Sequence, residues 1–283
     1  MKKIYQSVVL FFLMVTLFSC TERIDIELDS TYERLVVEAY LSTDTMAHPV
    51  RLSKSADYLD TEKPPAVTGA VVQISDSDSA VILTENPDKP GMYITPENYA
   101  GVPGKTYKLI IDLPEKIGGY DHYEAESTIR PVASIDSIRV VYEPDWELYQ
   151  VQIFAWEPPT TDFYKFDILK NGELLTDTIN KAFVSDDRFF NGNYTYGITV
   201  GVLDPNNERE NPEPGDTITL SMSSITEDYY NFLIELQDQT FQFRNPLFSG
   251  PPANIRTNIP NAHGYFSAFS LSKSSYIMPP EFK

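Results

Sequence analysis

The most pointed chemistry in this 283-residue chain belongs to its single cysteine, Cys20. Cys20 closes the tetrapeptide Leu17-Phe18-Ser19-Cys20, which has the form of a lipobox with a small residue just before the cysteine. Upstream, Met1-Lys2-Lys3 supplies a positive start, and Val8 to Phe18 is an apolar run broken only by Thr16. That run has the length of a signal-peptide core, whereas crossing a bilayer takes about 20 apolar residues. The chemistry requires the thiol, which takes a diacylglycerol as a thioether; cleavage before it frees an amine for further acylation. The alternative is an ordinary secretory signal that happens to contain a cysteine, and the absence of any second cysteine favours the lipobox. Residues 1–19 are expected to be a signal peptide and Cys20 the acylated, palmitate-bearing N-terminus. Several acyl chains would then hold the chain firmly to a membrane, where one alone would anchor it only marginally.

Other chemistries are poorly represented. One cysteine allows no intramolecular disulfide, no cysteine-ligated zinc and no iron–sulfur cluster. The three histidines, His48, His122 and His263, stand apart with no HExxH or paired spacing, and read as surface or loop residues. No GxSxG elbow occurs, although a triad assembled from distant residues is recognised by geometry and stays open. Among the carboxylates, Asp76/Asp78, Asp186/Asp187 and the run Asp204 to Glu210 could hold calcium in a loop. None has EF-hand spacing, and charged loop tips that keep sheets soluble account for them as well. Trp156 ends an apolar strand pattern and is expected in the core; Trp146, between Asp145 and Glu147, is expected to be exposed. Trp146, with Tyr120 and Tyr123 of the Tyr-Asp-His-Tyr loop, forms the candidate ligand-contact set. No catalytic residue, metal ligand or cofactor is assigned, and the chain is read as a non-enzyme. A net charge of −19 repels phosphate backbones and excludes nucleic acid as a partner.

The elements that must position these residues are mostly strands. Leu35 to Leu41, Gly69 to Ser75 and Tyr107 to Leu113 alternate apolar and polar residues with period two. After Ile129-Arg130-Pro131-Val132 a second series follows. It comprises the stretch from Ile135, then Gln150 to Ala155, Tyr164 to Leu169, Tyr194 to Val202 and Thr217 to Met222. In Tyr194 to Val202, the residues Tyr194, Tyr196, Ile198, Val200 and Val202 share one face, and the small opposite face suits close approach by another layer. Asn171-Gly172 predicts a type I′ hairpin. Ser224-Ile-Thr-Glu227 reads as a capping box, opening an amphipathic helix from Ile225 to about Thr240. Residues 245–260 read as an extended proline-rich loop and Gly264 to Leu271 as a last strand. The expected fold is mainly β: two immunoglobulin-like or fibronectin-like sandwich blocks, residues 35–130 and 131–283, with the helix packed on the second. Residues 20–34 are the lipid-anchored lead-in.

The ordered set ERLVVEAYLS (33–42), VTGAVVQISD (67–76), GMY (91–93), GKTYKLII (104–111), IRPVASIDSI (129–138), EDYYNFLIELQ (227–237) and PANIRTNIPNAHGYFSAFS (252–270) resembles a family. That family comprises Bacteroidota outer-membrane lipoproteins classed as a domain of unknown function. The resemblance covers nearly all of the chain after Cys20, and GYFSAF is its most distinctive piece. Members are commonly encoded beside TonB-dependent receptors, and the family supplies no catalytic residues. The resemblance therefore implies a non-catalytic accessory binding or scaffold subunit of a TonB-dependent uptake or envelope assembly. It implies an outer-membrane, cell-surface location and a TonB-dependent receptor as partner, with membrane contact through the lipid. The alternative is a free-standing surface lipoprotein that binds glycan or peptide.

Overall fold

The computed structural model describes residues 33–56, 63–242 and 255–280. The expected signal segment, Cys20 and most of the proline-rich stretch lie outside the described residues. The described residues pack as one unit, mainly β, with several sheets in a sandwich-like arrangement and one helix among them.

The first half contributes β1 (Leu35–Ser42), β2 (Pro49–Lys54), β3 (Val71–Ser75), β4 (Ala80–Ile82), β5 (Thr84–Glu85) and β6 (Met92–Ile94). The long hairpin β7 (Thr106–Ile117) and β8 (Tyr120–Thr128) completes it. The second half runs β9 (Ile135–Glu143), β10 (Leu148–Ala155), β11 (Phe163–Lys170), β12 (Glu173–Leu174), β13 (Phe183–Asp186), β14 (Ile198–Leu203) and β15 (Thr217–Ile225). It ends with α1 (Glu227–Gln242) and β16 (His263–Ile277).

Period two does the sorting, because alternate side chains of a strand point to opposite faces. Leu35, Val37, Ala39 and Leu41 of β1 face Val72 and Ile74 of β3 and Tyr107, Leu109 and Ile111 of β7 across a first core. Tyr149, Val151, Ile153 and Ala155 of β10 face Tyr164, Phe166 and Ile168 of β11 and Ile218, Leu220 and Met222 of β15 across a second. The outer layers are the sheets β4-β3-β7-β8 and β14-β10-β9.

The inner layer of both cores is a single sheet, ordered β12-β11-β15-β16-β1-β2-β6-β5, with β13 also on β11. It runs straight across the expected boundary at residue 130. Its join is β16, fifteen residues long where the sequence suggests eight. Residues 263–269 pair parallel with β1, and residues 270–277 pair antiparallel with β15. Phe266 and Ala268 enter the first core, while Met278, just beyond the strand, enters the second. The crossing is bolted: Ser270 Oγ donates to the Arg130 carbonyl, Leu271 N–H to Thr43 Oγ1 and Ile135 N–H to Ser272 Oγ.

Two local expectations change and a third holds. Tyr194 to Val202 is not one strand: Tyr196 and Gly197 both have positive φ, the pairing with β10 shifts at Val151/Gln152, and β14 begins at Ile198. Alternation therefore changes phase, burying Val200 and Leu203 and exposing Val202. The small face does meet another layer, since a Cβ on Gly201 would lie 2.4 Å from Ile168 Cδ1. The helix begins two residues later than its sequence signal. Ile225 ends β15, and the cap is Thr226, whose Oγ1 accepts the Tyr229 N–H at 3.3 Å; Ser224 is a buried strand residue. The Asn171-Gly172 turn has positive φ at both residues and pairs Lys170 with Glu173, as its sequence requires.

No helix among the described residues is long and apolar enough to cross a membrane.

Candidate functional site

The face of the shared sheet that turns away from the two cores carries a large concavity. Val36, Glu38 and Tyr40 of β1, Lys165 and Asp167 of β11 and Phe269 of β16 form its floor. Tyr229, Phe232, Leu233 and Leu236 of α1 form one wall, and residues 174–182 form part of the rim. The volume of this open cleft is about 880 Å³, in the range of sites that take a sizeable ligand. The helix is held at its start by Ile225, Tyr229, Leu233 and Tyr265 packing together. Tyr229, Phe232 and Tyr265 make an aromatic cluster with ring centres 5.0–5.8 Å apart. Burial pushes the Tyr229 phenol well above its ordinary range, so it stays neutral, hydrogen-bonded to Tyr40.

The charged groups of the cleft are already paired. Arg256 bridges to Glu235 at 2.7 Å and donates its backbone N–H to the same carboxylate at 2.8 Å. Lys165 pairs with Asp167, and Asp177 with Arg209 at 3.0 Å. The charge is thus spent on holding walls in place, which leaves an aromatic and aliphatic surface for a ligand.

The residues singled out from sequence are scattered. Trp146, in the β9–β10 turn, is 67 % exposed. Tyr120 is exposed at the β7–β8 turn, but Tyr123 turns inward and donates its hydroxyl to the Ile117 carbonyl at 2.9 Å. Tyr123 is a core residue, so it is removed from the ligand-contact set. Trp156 reverses its expectation: it lies one residue beyond β10 and is 65 % exposed. It meets Tyr194 edge to face at 5.6 Å, and Tyr194 meets Tyr196 at 4.8 Å. The strained positive φ of Tyr196 leaves its ring 80 % exposed.

The histidines divide three ways. His48 is a loop residue, as expected, but a buried one, and clips its loop to the Tyr99 carbonyl. His122 is exposed between Asp112 and Glu124, whose carboxylates raise its pKa. His263 sits at the cleft rim, its pKa lowered by burial and then by Arg34.

The acidic loops also separate. Asp76 accepts N–H bonds from Asp78 and Ser79 and pairs with Lys105 at 2.8 Å, holding its carboxyl well below the usual range. Glu210 is taken by Lys181 and Asn207, and Asp186 by Arg188. Asp187 is not taken. It lies where β13 ends, beside Asp162 at the start of β11 and Glu157 just past β10, and one oxygen from each carboxylate falls within 4.8 Å of the others. Spacing along the chain gives no hint of this trio; antiparallel pairing of Phe163 with Asp186 brings it together.

The matching family profile spans residues 21–275 and is described as a domain of unknown function, DUF4249. The chain belongs to the DUF4249 family. The DUF4249 match begins one residue after Cys20 and runs through β1 to most of β16, so both cores and the cleft fall within it. No curated protein matches the sequence. Among solved structures, the Yersinia pseudotuberculosis adhesin InvE aligns at 14 % identity over 69 % of this chain, with a TM-score of 0.19. The alignment spans 55 % of the adhesin chain. Overlap that slight carries no argument about fold or role.

Proposed function

We propose that this DUF4249 chain is a non-catalytic lipoprotein, anchored through Cys20 in the outer membrane and exposed at the cell surface. In this reading it is a binding or scaffold subunit beside a TonB-dependent receptor. The observation that supports binding is the cleft beneath α1, large, aromatic-walled and edged by charges already paired to one another. Such a surface favours an apolar or aromatic moiety over a charged one. The lipobox supports the anchor, and the resemblance to Bacteroidota lipoproteins supports the receptor. The test is a pull-down of tagged full-length protein from mild-detergent outer-membrane extracts, with Cys20→Ala as control. A TonB-dependent receptor should co-purify with the acylated form; recovery of the lipoprotein alone would remove the receptor from the proposal.

A second reading, a free-standing glycan- or peptide-binding lipoprotein, is favoured by the exposed Trp156–Tyr194–Tyr196 cluster. Aromatic faces of this kind stack on sugar rings. Retention on a polysaccharide matrix that disappears in Trp156→Ala, with an unchanged circular dichroism spectrum, would support it over the receptor role.

A further inference from the structure

Asp187 is 1 % exposed, and neither of its carboxylate oxygens accepts a hydrogen bond among the described residues. The nearby Asp162 and Asp187 main-chain groups ease its charge in part, although the Asp187 N–H is given to the Asp162 carbonyl at 3.2 Å. An unpaired buried carboxylate is among the costliest groups a fold can carry. Its two neighbours are better supplied. Asp162 accepts from Arg130 at 2.9 Å and from Thr160 at 2.5 Å, and Glu157 accepts the Tyr164 hydroxyl at 2.5 Å. Three carboxylates and one guanidinium leave two negative charges. Glu157 and Asp187, though not Asp162, reach the polar end, with Tyr164 and Thr195, of an otherwise mostly apolar cavity of about 100 Å³. That space is ample for one ion and its water.

We infer that Glu157, Asp162 and Asp187 form a buried divalent-cation site, and that its ion is Ca²⁺. The donors are all hard oxygens, with no sulfur or imidazole to favour zinc or copper. Calcium takes six to eight oxygens in irregular geometry at about 2.3–2.6 Å, which suits both Asp187 oxygens, the free oxygen of Glu157 and the remainder from Asp162 or water. Magnesium demands a near-ideal octahedron and sheds water reluctantly. Burial raises the Glu157 and Asp187 pKa values, Glu157 to about 7. An ion here would tie the end of β10 to β11 and β13, and so fix the turn that presents Trp156 and Tyr194.

The experiment uses the full chain in mild detergent, stripped with EDTA and titrated with CaCl₂ or MgCl₂. Calorimetry and thermal melting are followed together with Tb³⁺ luminescence sensitised by Tyr164. One Ca²⁺ per chain should bind, raising Tm on the order of 5 °C at saturation, with Mg²⁺ much weaker. Asp187→Asn should lose the bound ion and the luminescence. The metal-free variant should also melt above metal-free wild type, because an uncompensated charge is gone. Glu157→Gln, which can still accept from Tyr164, provides a second variant should Asp187→Asn fold poorly; it should weaken Ca²⁺ at least tenfold. A Tm indifferent to EDTA and Ca²⁺ would overturn the site and leave the trio neutralised by protons. Calcium binding that survives both substitutions would overturn it too, placing the ion on the acidic surface.

Discussion

His48 shows how a single ring can be structural through its backbone partners. Its Nδ1 accepts the Ser42 N–H at 3.4 Å, so Nε2 carries the proton and faces the Asp44 and Tyr99 carbonyls at 3.1 and 3.2 Å. The neutral tautomer satisfies every group. A second proton would set two N–H groups against each other inside a buried loop. Burial lowers the pKa first, outweighing the two carbonyls and the Asp44 carboxylate, which is itself paired with Lys273. The unfolded chain therefore binds a proton more readily than the folded one. The ring's contribution is complete above its unfolded pKa of about 6.5 and is lost as pH falls through the lower folded value. Melting temperatures between pH 7.5 and 5 should drop more steeply for wild type than for His48→Gln. Parallel curves would show that the ring does not titrate in this window. None of this was legible in the sequence: a lone histidine looks like a surface residue because its partners, Ser42, Asp44 and Tyr99, are ordinary main-chain groups. Trp156 misled in the opposite direction, since the apolar strand before it ends at Ala155 and the next side chain points out.

Elements were readable wherever one periodicity held, as in β1, β10 and the first part of β7, and unreadable where a strand handed over to something else. At residues 224–227 two signals overlap. The strand β15 continues through Ile225, and the capping-box pattern falls on Ser224 while the backbone turns only at Thr226. The distinction can be measured. Thr226→Ala removes the oxygen that accepts the Tyr229 N–H and should cost about 1 kcal/mol. Ser224→Ala removes a buried hydroxyl with no partner among the described residues and should be neutral or slightly stabilising. The reverse order in urea titrations would return the cap to Ser224. The β16 stretch that looks most distinctive in sequence also has a physical reason to be so. Gly264 has φ of +89°, and a Cβ there would lie 1.9 Å from the Val37 carbonyl oxygen. Only glycine lets the main chain come this close to β1 at the start of the parallel ladder. Parallel pairing joins residues more than two hundred positions apart, and no local pattern announces it.

For the whole molecule, the question is whether two cores make two folding units. The sequence suggested a division near residue 130, and two separate hydrophobic cores do lie on either side. Yet the first core is completed from the far end of the chain, by Ile259, Ala262, Phe266 and Ala268. One sheet serves both cores, and the crossings at Arg130 and Ser270 are hydrogen-bonded to each other. A chain cut after residue 130 would keep β1 but lose the strand beside it, leaving an apolar edge and an opened core. The second core, without β1, would keep β16 with half its length unpaired. Neither half can melt without exposing the other, so unfolding should be cooperative across the molecule. Val72→Ala in the first core and Val151→Ala in the second, both fully buried in wild type, provide the test. Each should cost about 2 kcal/mol, and each should move the same single denaturant transition followed by circular dichroism. Two transitions, each answering to only one substitution, would show that the shared sheet joins the halves without coupling them. A single transition would mean that strain on α1 or the cleft is felt throughout the shared sheet, since β1 forms part of the cleft floor and also lines the first core.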